Sequence, residues 1–118
     1  MSEPAVETGD KLHIITRRRF ESDGRRHFVG EVTGISGELY KVQGYAFVLN
    51  AGTNEYERRP ELRTRLFSLG QDGFIVNKIP REVSIASLEY RRDGVENRLV
   101  VSDSKDFSLD INEFGLSA

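Results

Sequence analysis

The fold is constrained most by residues 26–50, which read RHFVGEVTGISGELYKVQGYAFVLN. Two runs of alternating apolar and polar residues flank a glycine-containing reversal at residues 35–37, and this pattern predicts an antiparallel hairpin. A three-residue hairpin loop favours glycine in the left-handed conformation at its last position, where Gly37 stands. This loop sets Val32 opposite Tyr40 and Phe28 opposite Gly44.

The same register sorts the side chains of the hairpin onto two faces, because side chains alternate across a strand. The apolar face carries Phe28, Val32, Tyr40 and Val42. The polar face carries Glu31, Thr33, Lys41 and Gln43. A two-residue turn at residues 36–37 would divide the apolar residues between the faces, so we reject it. The alternation therefore predicts an antiparallel all-β domain.

Residues 11–20 form the preceding strand and connect to the hairpin through an Asp-Gly reversal within residues 21–25. We pair Phe20 with Phe28, because this register places Ile14 on the apolar face and sets Arg17 opposite Glu31. A slip by one residue would turn Arg17 inward, where an unpaired charge is costly.

Gly44 marks a change in the apolar pattern. Even-numbered residues point inward before it, whereas the large apolar residues after it are Tyr45, Phe47 and Leu49. Either a bulge or sharp bend at Gly44 turns the pattern over, or both faces are covered along residues 45–49. Both alternatives predict that the sheet closes upon itself.

Residues 62–69 and 74–79 form a further predicted hairpin about residues 70–73. One of its faces carries Phe67, Leu69, Phe74 and Val76, and the other carries Leu62, Leu66, Ile75 and Ile79. Two apolar faces are typical of a central or interface strand pair. Residues 55–59, which Pro60 ends, form a short edge strand.

The last predicted hairpin has a two-residue turn at residues 93–94 and aligns Leu88 with Leu99. This register also brings Glu89 to Arg98 and Arg91 to Glu96, and such pairs stabilise neighbouring strands. Residues 107–111 alternate as a final half-buried strand.

Together these elements predict a small all-β fold of about eight or nine antiparallel strands, built from consecutive hairpins. The strands form either a partly closed barrel or a two-sheet sandwich. Residues 11–118 make a single domain, because a chain of 118 residues suits one core. Residues 1–10 form a flexible acidic tail with three acids and little to bury.

Composition excludes several kinds of site. The chain has no cysteine, so it has no disulfide, no thiolate nucleophile and no cysteine-based metal site. No apolar run approaches the roughly 20 residues of a membrane span, and the first residues lack the pattern of a secretory signal. We therefore expect a cytoplasmic protein without a membrane partner.

His13 and His27 are the two imidazoles of the chain, and their spacing matches no histidine-based metal motif. We interpret both as packing or surface residues and predict neither a metal nor another cofactor. Nothing in the spacing places a serine beside either histidine with a carboxylate to orient it. We therefore predict that the protein is not an enzyme.

Arginine is concentrated in two places. Residues 17–28, RRRFESDGRRHF, interleave five arginines with two phenylalanines, as single-strand nucleic-acid binders do on a β surface. The candidate nucleic-acid contacts are Arg17, Arg19, Arg25 and Arg26. The second cluster consists of Arg58, Arg59, Arg63 and Arg65, and Glu55, Glu57 and Glu61 nearly balance it.

The sequence favours a non-catalytic cytoplasmic binding or interaction domain. Self-association into a homo-oligomer is a further hypothesis, since the two-faced apolar strands offer more apolar surface than one small core needs. Two alternatives stay open, a single-stranded nucleic-acid-binding domain that uses the Arg-rich hairpin and a barrel that binds a small molecule. Nucleic acid comes second, because the register hides Phe20 and Phe28 in the core.

Overall fold

Two antiparallel sheets form the part of the chain described by the computed structural model, residues 5–16, 26–50, 52–53, 55–69, 73–93 and 98–111. These residues contain nine strands and a 3₁₀ turn at Ile85–Ser87, which confirms the predicted all-β fold. The strands are β1 (Lys11–Thr16), β2 (Arg26–Ser36), β3 (Leu39–Asn50), β4 (Glu55–Arg58), β5 (Arg63–Ser68), β6 (Phe74–Ile79), β7 (Glu89–Asp93), β8 (Arg98–Ser102) and β9 (Ser108–Asp110).

The larger sheet has six strands in the order β4-β3-β2-β1-β6, and β5 also pairs with β3. Because β2 occupies one edge of β3, β4 and β5 share the other: β5 pairs with residues 39–44 and β4 with residues 47–50. The smaller sheet has the order β7-β8-β9. The described strands do not close a barrel, and the fold is a partly closed two-sheet sandwich.

The predicted pairing of residues 62–69 with residues 74–79 is wrong. Both segments form strands, but β5 pairs with β3 and β6 pairs with β1. The edges of β1 and β3 offer N–H and C=O groups that need partners, and the local glycine signal between the two segments does not reveal this long-range demand. The predicted sharing of a face by Phe67, Leu69, Phe74 and Val76 is confirmed, since all four contact one core.

The central hairpin turns at Gly37 and Glu38, and a β-bulge follows Val32. The predicted three-residue loop and the pairing of Val32 with Tyr40 are therefore wrong, because Val32 faces Val42. Gly37 does adopt the left-handed conformation, with φ of 59°. A two-residue turn alone would put Val32 and Tyr40 on opposite faces, but the extra residue of the bulge restores the predicted apolar face.

Both faces of β2 and β3 are covered away from the turn that joins them. One face lies inside the larger sheet and forms the inner core, which consists of Leu12, Ile14, Phe28, Val32, Val42 and Phe67. The sheet curls around this core, since the rings of Phe67 on β5 and Phe74 on β6 lie 5.5 Å apart although these strands are not neighbours. The other face lies under the smaller sheet and forms the inter-sheet core, which includes Val29, Phe47, Leu88, Leu99, Val101 and Ile111.

These two cores show which of the two predictions for Gly44 holds, a bulge or sharp bend at this residue or coverage of both faces along residues 45–49. Coverage of both faces is confirmed, because Phe47 lies in the inter-sheet core while Ala46 contacts the inner core. The pairing of β2 with β3 runs through Gly44 without a register shift, so a bulge at this residue is wrong.

The β1–β2 register also differs from the prediction. Ile14 faces Phe28, so the pairing of Phe20 with Phe28 is wrong, and Glu31 faces Lys11 instead of Arg17. Burial fixes which face a residue occupies but not its offset along the strand, and Ile14 still lies on the apolar face with Phe28. Residues 17–25, including the predicted reversal, lie outside the described residues.

The β7–β8 register is also shifted along the strands from the predicted one, by an even number of residues. Leu99 faces Arg92 instead of Leu88, although Leu88 and Leu99 do share the inter-sheet core. The predicted pairing of Glu89 with Arg98 is wrong, because Arg98 faces Asp93 and Glu89 faces Ser102. Arg91 faces Val100, and Glu96 lies outside the described residues.

Gly9 and Asp10 attach the N-terminal segment to β2. The Gly9 N–H donates to the Val32 carbonyl and the Val32 N–H donates to the Asp10 carbonyl, both at 2.8 Å. The Asp10 carboxylate accepts hydrogen bonds from the Glu7 N–H and from Arg81. The Glu7 N–H is the main cause that holds the pKa of Asp10 below its usual value.

The closest contact of β2 with β3 lies where Gly30 faces Gly44. A Cβ atom on Gly44 would lie 1.9 Å from the Val29 carbonyl oxygen and 2.5 Å from the Gly30 Cα. Backbone atoms in the middle of a sheet cannot move aside as the end of a flexible side chain does, so the packing requires glycine here.

We expect Gly44→Ala to lower the free energy of unfolding by more than about 3 kcal/mol, because the added methyl group collides with backbone atoms on β2. Gly34→Ala is the matched control, since its Cβ would meet only the Lys41 side chain, at 3.4 Å. Urea denaturation of both variants measures the difference. Equal destabilisation by the two substitutions would contradict the proposed contact.

Candidate functional site

A cleft of about 760 Å³ opens at the end of the inner face where β4 and β5 diverge along β3. Its polar lining includes four arginines and one carboxylate, namely Arg26, Arg59, Arg63, Arg65 and Glu61. Its apolar lining includes Phe28, Ala46, Val48 and Phe67. We call this site the arginine cleft.

Three segments of the chain supply its arginines. Arg63 and Arg65 lie on β5 opposite Gly44 and Val42, and this pairing turns them to the inner face. Arg26 begins β2 on the same side of the sheet. Arg59 follows β4, and its backbone N–H donates to the Ala46 carbonyl at 2.8 Å. Sheet pairing and this hydrogen bond therefore position the four arginines around one opening.

The described residues of the arginine cleft carry an excess of positive charge. Arg63 contacts Glu61 at 3.4 Å, and because both side chains are exposed this ion pair contributes little stability. Among the described residues, no carboxylate forms an ion pair with Arg26, Arg59 or Arg65. Guanidinium groups in this state are available to an anionic ligand, and their planar fork matches phosphate and carboxylate oxygens.

Aromatic rings form part of the floor of the cleft but are buried. Phe28 and Phe67 belong to the inner core, with ring centroids 5.5 Å apart. The guanidinium carbon of Arg65 lies 5.9 Å from the centroid of the Phe28 ring, which places the charge over an aromatic face. The described part of the floor therefore presents an apolar surface beneath the arginines, and no described ring there is free for a base to stack on.

The structure describes one of the four arginines predicted to contact nucleic acid. Arg26 lies at the arginine cleft, whereas Arg17, Arg19 and Arg25 lie outside the described residues. Thr16 and Arg26, which border residues 17–25, both line the cleft.

The second arginine cluster is divided by the structure. Arg59, Arg63 and Arg65 line the cleft, but Arg58 lies over the ring of Tyr45 and donates to the Ala86 carbonyl. Of the three glutamates expected to balance this cluster, only Glu61 lines the cleft. The sequence pattern did not predict that Arg26 lies beside Arg59, Arg63 and Arg65, because their proximity depends on the pairing of β5 with β3.

A buried polar network joins the two sheets. The Tyr90 hydroxyl lies 2.7 Å from Nε2 of His13 and 2.5 Å from Nδ1 of His27, and the two imidazoles lie 5.2 Å apart. Tyr56 stacks on Tyr90 with ring centroids 4.8 Å apart. The two histidines do pack in the interior, but sequence spacing gave no sign that a tyrosine 63 and 77 residues away connects them.

The donors and acceptors of this network form a consistent chain. The Asn77 amide donates to Nδ1 of His13, so the His13 proton resides on Nε2 and points at the Tyr90 oxygen. The Tyr90 O–H then donates to Nδ1 of His27. Burial lowers the pKa of His13 to about 4 and raises the pKa of Tyr90, so both side chains are neutral at pH 7.

The described residues contain no group of three or more His, Cys, Asp or Glu side chains that could hold a metal ion. In the same part of the chain, no helix has the length and apolar character needed to cross a membrane. Comparisons with models of protein families, with curated proteins and with solved structures give no match. The candidate function therefore rests on the chemistry of the site.

We expect the free energy of unfolding to fall by up to about 3 kcal/mol as the pH falls from 6.5 to 4. In this range His13 is protonated in the unfolded chain but stays neutral in the folded protein. The stabilisation is complete above the unfolded pKa and is lost as the pH approaches the folded value. Urea denaturation at several pH values measures this slope.

His13→Gln provides the control, because the amide keeps hydrogen-bonding groups but does not titrate. The variant should lose most of the slope between pH 6.5 and 4. A flat profile in the unmodified protein, or an unchanged slope in the variant, would show that His13 is not buried in neutral form.

Proposed function

We propose that this protein is a non-catalytic binding domain whose arginine cleft holds the phosphates of single-stranded nucleic acid. The observation that carries the proposal is the convergence of Arg26, Arg59, Arg63 and Arg65 on one opening, where Glu61 is the single carboxylate among the described residues of the lining. Phosphate recognition is the most direct use of such a set, because each guanidinium offers paired N–H donors and a permanent charge.

A polymer accounts for the charge distribution better than a mononucleotide does. The chain between Thr16 and Arg26, the two cleft residues that border residues 17–25, contains four more arginines. A nucleic-acid strand carries one phosphate per nucleotide and so engages a series of cations. Arg17, Arg19 and Arg25, which lie outside the described residues, remain predicted further contacts to phosphate.

The buried floor determines the expected mode of binding. Phe28 and Phe67 lie in the inner core, so affinity in this proposal comes from phosphate contacts and not from stacked bases. We therefore expect strong salt dependence and little preference for base sequence. The cleft borders His27, but Nδ1 of this buried ring is occupied by Tyr90, which favours binding over acid–base catalysis. The cytoplasmic location inferred from the sequence stays a prediction.

The test is the salt dependence of binding to a fluorescein-labelled oligothymidylate, measured by fluorescence anisotropy. We expect the affinity to fall steeply with salt. In the double variant Arg63→Ala with Arg65→Ala, the slope of log K against log salt should decrease by about 1.4, since each lost phosphate contact contributes about 0.7 for single strands. No binding at low salt would disprove the proposal.

The matched control is Arg91→Ala with Lys105→Ala, which removes the same charge from exposed positions that do not line the cleft. It should leave the slope nearly unchanged. Equal losses in the two double variants would indicate attraction to net charge without a site. Competition by thymidine monophosphate as effective as competition by the oligonucleotide would favour the small-molecule alternative.

A further inference from the structure

The described part of the arginine cleft contains one side chain that can only accept hydrogen bonds, the carboxylate of Glu61. The guanidinium groups only donate, and the Thr16 hydroxyl can both donate and accept. The oxygens of a phosphodiester are acceptors, so the arginines and Thr16 can satisfy them but Glu61 cannot. The carboxylate therefore indicates a ligand that carries hydrogen-bond donors as well as phosphates.

The segment that carries Glu61 is attached to β3 at both ends. On one side the Arg59 N–H donates to the Ala46 carbonyl, and on the other Arg63 begins β5, which pairs with β3. Pro60, whose ring fixes φ, further restricts the backbone between these attachments. Glu61 is thus held at the opening, so a ligand bound there meets its carboxylate.

The present partner of Glu61 leaves its carboxylate available. The carboxylate lies 3.4 Å from the Arg63 guanidinium, and both side chains are at least half exposed, so this ion pair is weak. Arg63 is also one of the cations that hold phosphate in the proposed function. A phosphate on Arg63 would lie beside the carboxylate, and the two negative charges repel each other unless a donor satisfies one of them.

We propose that the carboxylate of Glu61 accepts a hydrogen bond from a ribose 2′-hydroxyl, so that the arginine cleft selects single-stranded RNA over single-stranded DNA. The inference rests on the proposed function, since it requires the arginines to hold the phosphates of a strand. RNA carries this hydroxyl on the sugar of every nucleotide, and DNA has none at that position. An O–H donor and a carboxylate form a strong, charge-assisted hydrogen bond.

The sugar is favoured over the base as the source of the donor. Phe28 and Phe67 are buried beneath the arginines, so no described ring of the cleft holds a base in a fixed position. The sugars, in contrast, alternate with the phosphates along the strand and occupy the same places whatever the base sequence is. A carboxylate beside phosphate-binding arginines therefore contacts the sugar.

The exposure of Glu61 limits the expected selectivity. A buried carboxylate would lose its hydrogen-bond partner when DNA binds, but one that is 60% exposed keeps contact with water. We therefore expect a preference for RNA of about five- to tenfold, which is less than a buried hydrogen bond to a charged group provides.

Oligouridylate and oligodeoxyuridylate of the same length test the proposal, because they share their bases and differ at the 2′ position. Fluorescence anisotropy of the two fluorescein-labelled strands, at one salt concentration, gives the ratio of their affinities. We expect the unmodified protein to bind oligouridylate about five- to tenfold more tightly. Glu61→Ala should bring the ratio close to one, since it removes the acceptor.

Glu55→Ala is the matched control, because Glu55 is exposed at the start of β4 and does not line the cleft. It removes the same charge and should leave the ratio unchanged. Equal affinities of the unmodified protein for the two strands, or a preference for RNA that survives Glu61→Ala, would overturn the inference while phosphate binding stands. An equal loss of preference in Glu55→Ala would overturn it too. Binding of neither strand at low salt would overturn the proposed function as well.

Discussion

The structure depends on a long two-stranded ribbon that buries both of its faces away from the turn. β2 and β3 pair from Arg26 to Val48 with a contact between Gly30 and Gly44 so close that neither position has space for a methyl group. The inner face of this ribbon is covered by the curling of the larger sheet, with β1 on one edge and β5 on the other. The outer face is covered by the smaller sheet, which packs over Val29 and Phe47. Removing water from both faces is the main stabilising contribution in such a fold.

The same ribbon also positions the polar sites. β5 leaves β3 at Gly44 and β4 joins it at Phe47, so the inner face opens between them and the arginine cleft lies at that opening. On the outer face, the ribbon brings His27 beneath Tyr90 of the smaller sheet. A buried imidazole without a partner would cost free energy, and the chain from Asn77 through His13 to His27 supplies those partners.

The sequence predicts which face of a sheet a side chain occupies better than it predicts which strands pair with each other. Phe28, Val32, Tyr40 and Val42 share a face as expected, because period-two alternation survives any shift of an even number of residues. Registers depend on turn length and bulges, and glycine is an ambiguous signal for a bulge, because Gly34 follows the bulge after Val32 whereas Gly44 pairs without one. The pairing of β5 with β3 is a long-range choice that turn residues do not encode, and for this reason Arg26 and Arg63 were assigned to separate clusters.

In the function that we propose, the arginine cleft is the ligand-binding surface of this domain. Two-dimensional NMR of the ¹⁵N-labelled protein, titrated with an unlabelled oligothymidylate, tests it most directly. We expect the largest amide shifts around the cleft, at Arg26, Ala46, Arg59 and Arg63, and little change on the outer face of β5 near Leu66. Shifts confined to the smaller sheet, or a spectrum that the oligonucleotide leaves unchanged, would contradict it.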